Sequence, residues 1–140
     1  VNIVSGEVRV LRIVAAHDVG KAINPRNVHG QIYSGVAMGV GFALMEEFIP
    51  GKTESMKDYH IPSCADMPEV VSIIVEDPEP TGPFGAKGVG EPALIPTAPA
   101  ILNAIADALG VRIYDLPANL ERVIKAASIA KPVQRRVERG

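Results

Sequence analysis

The sequence has 140 residues, 47% of them apolar, a formal charge of −2 and a single cysteine. That is one domain's worth of chain, with too little basic charge for nucleic acid, no means of an internal disulfide, and far fewer than the about four thiolates an iron–sulfur cluster takes from its protein. The strongest apolar run, residues 35–45, falls well short of the roughly 20 residues of a membrane span.

In chain order, Val1–Val4, the Ser5-Gly6-Glu7 turn and Val8–Val14 read as a hairpin whose first arm is short. Alternation of apolar and charged residues places a half-exposed strand over 7–16. The chain opens inside this pattern and without methionine, so a fragment or one piece of a split protein is expected. Turn-forming Asp18, Gly20, Asn24 and Pro25 mark a loop over 17–26. Asn24-Pro25 then has the form of a helix cap with proline in the first turn, and the spacing predicts a helix from Pro25 to Phe48.

That helix carries Gly30, Gly35, Gly39 and Gly41. Each costs about 1 kcal/mol against alanine, about 4 kcal/mol together. Close packing of another element along Gly35 and Gly39 is one compensation. A ligand against the bare backbone is the other, and the first turns near Gly30 and Gln31 are its better place, because helix N-termini present free N–H groups. Residues 50–57 read as a loop, 59–62 as extended, Val70–Val75 as a β-branched strand and 76–83 as an acidic, proline-rich loop. Ala93–Leu109 is apolar at helical spacing, broken into two pieces or kinked by Pro96 and Pro99, with Gly110 as C-cap. A short strand is expected at Val111–Tyr114. A last helix over Pro117–Ala127 would bury Leu120, Val123 and Ile124. The expected fold is α/β, a small mixed sheet of short strands packed on two or three helices, with the domain ending near residue 130. The basic residues 131–140 read as a disordered, solvated tail.

The segment Phe84–Pro96, FGAKGVGEPALIP, is the unusual one. It is not a Walker loop, since Lys87 precedes Gly88 and no Ser or Thr follows. It is not a dinucleotide fingerprint, since Ala93 stands at the third glycine position. Its glycines let backbone approach a ligand and offer unshielded N–H donors. Glu91, with Val89, Ala93 and Leu94 for neighbours, is expected to be partly desolvated, which raises a carboxyl pKa and makes a better base near neutrality. The alternative is that Glu91 merely caps or charges the N-terminus of a helix beginning near Pro92. His17, His29 and His60 lack metal-ligand spacing, and His17-Asp18 reads as a hydrogen-bonded turn. Cys64 reads as a plain buried or half-buried thiol. Glu46 and Glu47, near a helix C-terminus, need cationic partners.

The run AHDVGKAINPRNVHGQIYSGVAMGVGFALMEE, the later DYHIP, and TGPFGAKGVGEPALIPTAPAILNAIADALG resemble the C-terminal part of the molybdopterin-binding large subunit of the xanthine oxidase/xanthine dehydrogenase family. Aldehyde oxidoreductases and aerobic carbon monoxide dehydrogenase belong with it. The likeness spans nearly the whole chain. It implies a molybdenum hydroxylase that oxidises a heterocycle or aldehyde with water-derived oxygen, with Glu91 as general base. It implies that Gly30, Gln31 and the backbone of Gly88, Val89 and Gly90 bind the cofactor, either molybdopterin or its cytosine dinucleotide. It leaves the role of Lys87 open.

The implied partners are the remaining molybdopterin-binding segments, an iron–sulfur subunit and an FAD subunit, in the cytoplasm. The family's other cofactor-binding segments are not found in this sequence. The isolated chain is therefore expected to be inactive, and to expose apolar surface that drives self-association. A noncatalytic assembly module is the other open reading.

Overall fold

The computed structural model describes residues 1–130. Two strands, β1 (Arg12–Asp18) and β2 (Glu69–Val75), pair in parallel, Arg12 opposite Glu69 and Asp18 opposite Val75. Three helices accompany them: α1 (Pro25–Leu44), α2 (Leu94–Leu109) and α3 (Leu120–Ile129). The α/β expectation holds, with the sheet reduced to this one pair.

The hairpin does not form. Residues 1–7 close a turn of their own, the Gly6 N–H donating to Asn2 O at 2.8 Å and the Asn2 N–H to Glu7 O at 2.8 Å. The strand that follows pairs instead with β2, where Arg12 Nε meets Glu69 Oε2 at 2.8 Å. Alternation predicted a strand correctly but carried no information about its partner.

Helix α1 begins as its cap dictates. The Asn24 side chain accepts from the Asn27 N–H at 3.1 Å, and Pro25 occupies the first turn, where no donor is needed. It ends at Leu44, not Phe48. Ile32, Val36, Val40 and Ala43 are buried, and they meet Ala98, Ile101 and Ile105 of α2 in one core that also takes Val123 of α3.

Two of the glycines serve packing. A Cβ on Gly35 would stand 2.7 Å from Ala93 Cβ, and one on Gly39 2.4 Å from Thr97 Cβ. Their absence lets α2 lie directly on the α1 backbone, and burial replaces the lost helix propensity. Gly41 makes room for the Glu46 carboxylate and Pro62.

Helix α2 is one helix with Pro99 inside it, not two pieces. It stops at Gly110, whose φ of 72° is the left-handed conformation that glycine takes without strain. Val111–Tyr114 is irregular, and Tyr114 is 85% exposed. The last helix starts at Leu120, capped by the Asn119 side chain on the Arg122 N–H. Of its expected stripe only Val123 is buried; Leu120 and Ile124 are exposed, and Ala126 fills the second buried position. The tail of residues 131–140 lies outside the described residues.

Glu47 finds its cation on α3, with Arg122 Nη2 at 2.7 Å from Oε1. Glu46 does not: its Oε2 accepts from the Tyr59 hydroxyl at 2.7 Å. Cys64 is exposed, contrary to the expected burial, because it lies in a turn-rich loop outside the core.

Candidate functional site

The carboxyl ends of β1 and β2 lie side by side because the strands are parallel. Three segments meet there. The turn after β1 is pinned to the end of β2 by the Val19 N–H on Val75 O at 3.0 Å. The glycine-rich segment joins it through an isolated bridge between Gly20 and Ala86. The Lys21 N–H donates to Gly85 O at 2.7 Å, and the Lys87 N–H to Val19 O at 2.9 Å. Gly20 must be glycine here: its φ is 62°, and a Cβ would fall 2.3 Å from Gly85 O. The start of α1 completes the arrangement.

Between these segments lies a cleft of about 270 Å³. Val19, Asn27, Gln31, Lys87 and Val89 line it. Gln31 and Val89, named from sequence as cofactor residues, thus border the same cleft. Both Gly30 and Gln31 are exposed, and the Gln31 amide makes no hydrogen bond among the described residues. The N–H groups of Gly88, Val89 and Gly90 likewise donate to nothing among the described residues. An added Cβ at Gly30, Gly88 or Gly90 would meet no atom within 4 Å. Bare backbone, unpaired donors and a free amide therefore sit beside one cleft, which is the donor set that suits the oxygen- and nitrogen-rich edge of a pterin.

Glu91 departs from expectation. It is exposed, because Ala93 turns away to pack on Gly35 and Leu94 enters α2, so neither covers the carboxylate. The capping half of the alternative fails as well, while Glu91 does stand three residues before the first residue of α2. Helix α2 has Ala93 at its N-cap and no side-chain cap bond; Glu91 contributes only its carbonyl, accepting from the Leu94 N–H at 3.0 Å. Two further residues of the segment are unusual. Phe84 holds a φ of 55° and is 87% exposed, a strained backbone for a bulky side chain that costs about 1–3 kcal/mol.

Lys87, the second, reaches the Asp18 carboxylate and, at 3.5 Å, Asp77 Oδ2. Asp18 also closes the expected turn by accepting from the Gly20 N–H at 2.9 Å. No sequence signal could pair Asp18 with Lys87, 69 positions apart.

Lys87 Nζ, and then the Gly20 N–H, hold the Asp18 carboxyl below its ordinary value of 3.8. The Asp18 hydrogen bond in turn raises Lys87 above 10.5. The Asp18 contribution is thus present above pH 3.8 and lost as pH falls through the lowered value. The Lys87 contribution is present below pH 10.5 and lost as pH rises through the raised one. Amide NMR shifts of residues 87–90 are expected to hold constant from about pH 5 to 9 and to move below about pH 4. A transition near neutrality would mean that another group controls this segment.

A second cavity, about 650 Å³, is not where these residues gather. Met38, Phe42, Ile95, Leu102 and Tyr114 line it, and its ionic side chains are already engaged, Glu46 by Tyr59 and Arg112 by Asn103. On the outer face of the sheet Val14, Ile73 and Val75 are also exposed. The apolar surface expected from sequence is present. Among the described residues no group of three or more His, Cys, Asp or Glu side chains converges to hold a metal ion, and no helix is long and apolar enough to cross a membrane.

Comparison with known proteins places this geometry. Residues 1–68 match the family described as "Molybdopterin cofactor-binding domain". The putative xanthine dehydrogenase molybdenum-binding subunit XdhA of Escherichia coli is 38% identical over 136 residues, covering 93% of this chain and 18% of its own length. The aldehyde oxidoreductase of Megalodesulfovibrio gigas is 41% identical over 128 residues, 90% of this chain and 14% of its own. The crystal structure of the aldehyde oxidoreductase from Desulfovibrio desulfuricans superposes with a TM-score of 0.85 at 41% identity, over 89% of this chain and 14% of that one.

The chain belongs to the xanthine dehydrogenase and aldehyde oxidoreductase family. It spans less than a fifth of the length of these relatives. The matched family domain holds β1, α1 and hence Gln31, and it stops before the Gly88–Glu91 segment. In these relatives the region that matches the parallel pair, the start of α1 and the glycine-rich segment is a small part of a much longer chain.

Proposed function

We propose that this chain forms one wall of the molybdopterin site of a molybdenum hydroxylase and supplies its base, Glu91. The observation that carries the reading is the meeting of Gln31 and Val89 in one cleft, with the unpaired N–H groups of residues 88–90 beside it. The family membership supports it. The substrate class is a heterocycle or an aldehyde. The remaining molybdopterin-binding polypeptide and iron–sulfur and FAD subunits complete the complex, and the pterin is held as molybdopterin or its cytosine dinucleotide.

Bound molybdopterin supplies the two-electron redox chemistry. Replacing a substrate C–H by C–OH with water releases two electrons and two protons. Glu91 accepts one of those protons at a carboxylate oxygen from the water-derived nucleophile. Gln31 donates and accepts at the pterin edge through one amide, and the Gly88–Gly90 N–H groups donate toward the metal end. Glu91 stands open on this chain, so the polypeptide that closes the site must exclude water from it and raise its basicity.

The test uses the complete subunit, supplied with xanthine, benzaldehyde or quinoline in isotope-labelled water. Labelled oxygen is expected in the product. Gln31→Ala is expected to lower molybdenum per polypeptide by about tenfold, the equivalent of one lost hydrogen-bonding group, with folding unchanged because the side chain is exposed. Unlabelled product, or full molybdenum content in the variant, contradicts the proposal. The apolar cavity favours the second reading, a noncatalytic docking module, for which Gln31→Ala is silent.

A further inference from the structure

We propose that Lys87 is a positioning residue: its ammonium, held between Asp18 and Asp77 at the carboxyl ends of the two strands, fixes the Gly88–Glu91 turn against the sheet. The proposal rests on the reading of Glu91 as the base.

The backbone leaves Lys87 as the last anchored residue before the turn. Its N–H is bonded to Val19 O, and the next bond in the chain is the Leu94 N–H on Glu91 O, within the turn that starts α2. Residues 88–90 between them carry no backbone donor bond among the described residues, and two of the three are glycine. Such a stretch has wide conformational freedom unless its ends are fixed.

The far end is fixed by Ala93 against Gly35. The near end is held by the Lys87 N–H on Val19 O and, beyond the backbone, by the Lys87 side chain. Its partners come from different strands: Asp18 closes β1, and Asp77 lies two residues past β2. Asp18 is itself held by the Gly20 N–H, in the turn that the bridge to Ala86 locks to the same segment. The Lys87 side chain is 29% exposed and that of Asp18 40%, so the ion pair adds little to the stability of the whole domain. Its effect is local, on where residues 88–91 stand. A displacement of about 1 Å at a reacting group costs about a hundredfold in rate.

The experiment uses the complete, molybdenum-loaded subunit with Lys87→Met, Lys87→Arg and Asp18→Asn. Exchange of the 88–91 amides with deuterated water is followed by mass spectrometry, and turnover of xanthine or benzaldehyde is expressed per bound molybdenum. In Lys87→Met exchange is expected to quicken at least about tenfold, and kcat per molybdenum to fall roughly tenfold to a hundredfold with KM within about threefold. Lys87→Arg is expected to restore both, since a guanidinium can span the same two carboxylates.

Unchanged exchange in Lys87→Met overturns the proposal. So does a loss of molybdenum with kcat per molybdenum intact, which marks a role in stability alone. If Lys87→Met does not fold, Asp18→Asn decides by the same readouts, and failure of both to fold overturns it too. Activity lost in Glu91→Gln but kept in Lys87→Met sinks the positioning role only. Activity kept in Glu91→Gln sinks the reading beneath it.

Discussion

Glu91→Gln in the complete molybdenum-binding subunit is expected to lower kcat per bound molybdenum by about 10²–10⁴-fold, the usual contribution of a positioned general base. The substitution keeps shape and removes the ability to accept a proton. Glu91 is exposed, and its side chain makes no hydrogen bond among the described residues, so the loss cannot come from a broken structural contact. A surface change of this kind leaves stability within about 0.5 kcal/mol. Molybdenum content is expected to stay at the wild-type level, because Gln31 and Val89 line the cleft and Glu91 does not. Steady-state turnover normalised to metal content checks both. Turnover within a few-fold of wild type would leave the chain a scaffold, with Glu91 a solvated carboxylate of no chemical role.

The second large effect is on folding, and it separates glycines that look alike in sequence. Gly35→Val is expected to destabilise the chain by about 3 kcal/mol, since even a Cβ there stands 2.7 Å from Ala93 Cβ and 2.8 Å from the Leu94 nitrogen. One of those contacts is backbone, so α2 as a whole must back away from α1, and the core of Ile32, Val36, Ile101 and Ile105 opens with it. The melting temperature then falls by about 10 °C.

Gly30→Ala goes the other way. Nothing lies within 4 Å of its added Cβ, and alanine is the better helix former by about 1 kcal/mol, which raises the melting temperature by about 3 °C. In the complete subunit the same methyl group stands on the proposed cofactor face, and molybdenum content is expected to drop. Thermal melts of the chain and metal analysis of the subunit measure the two effects. Shifts of the same sign for both glycines would refute the division into a packing face and a ligand face.

Local chemistry was readable wherever neighbours in sequence decide the outcome. The Asn24-Pro25 cap opened α1 where it was expected, Gly110 closed α2, and the β-branched run at 70–75 is β2. Where distant residues decide, the reading failed. Val8–Val14 looked like one arm of a hairpin, yet β1 runs parallel to a strand 57 positions away. The desolvation expected for Glu91 came from counting apolar neighbours along the chain. Ala93 packs on Gly35 of α1 and Leu94 lines the apolar cavity, so neither covers the carboxylate.

The residue types that can bind a pterin edge and move a proton are written in the sequence: a free amide after Gly30, bare glycines at 88 and 90, one glutamate beside Pro92. Their assembly is not. Gln31 and Val89 reach one cleft only because β1 and β2 pair in parallel, which brings their carboxyl ends, the Lys87 ion pair and the start of α1 to the same edge. Caps, turns and helix stops are settled by forces that act over a few residues. Strand partnership and register depend on which distant side chains can be buried together, and a loop of many residues closes at nearly the same entropic cost for several candidate partners.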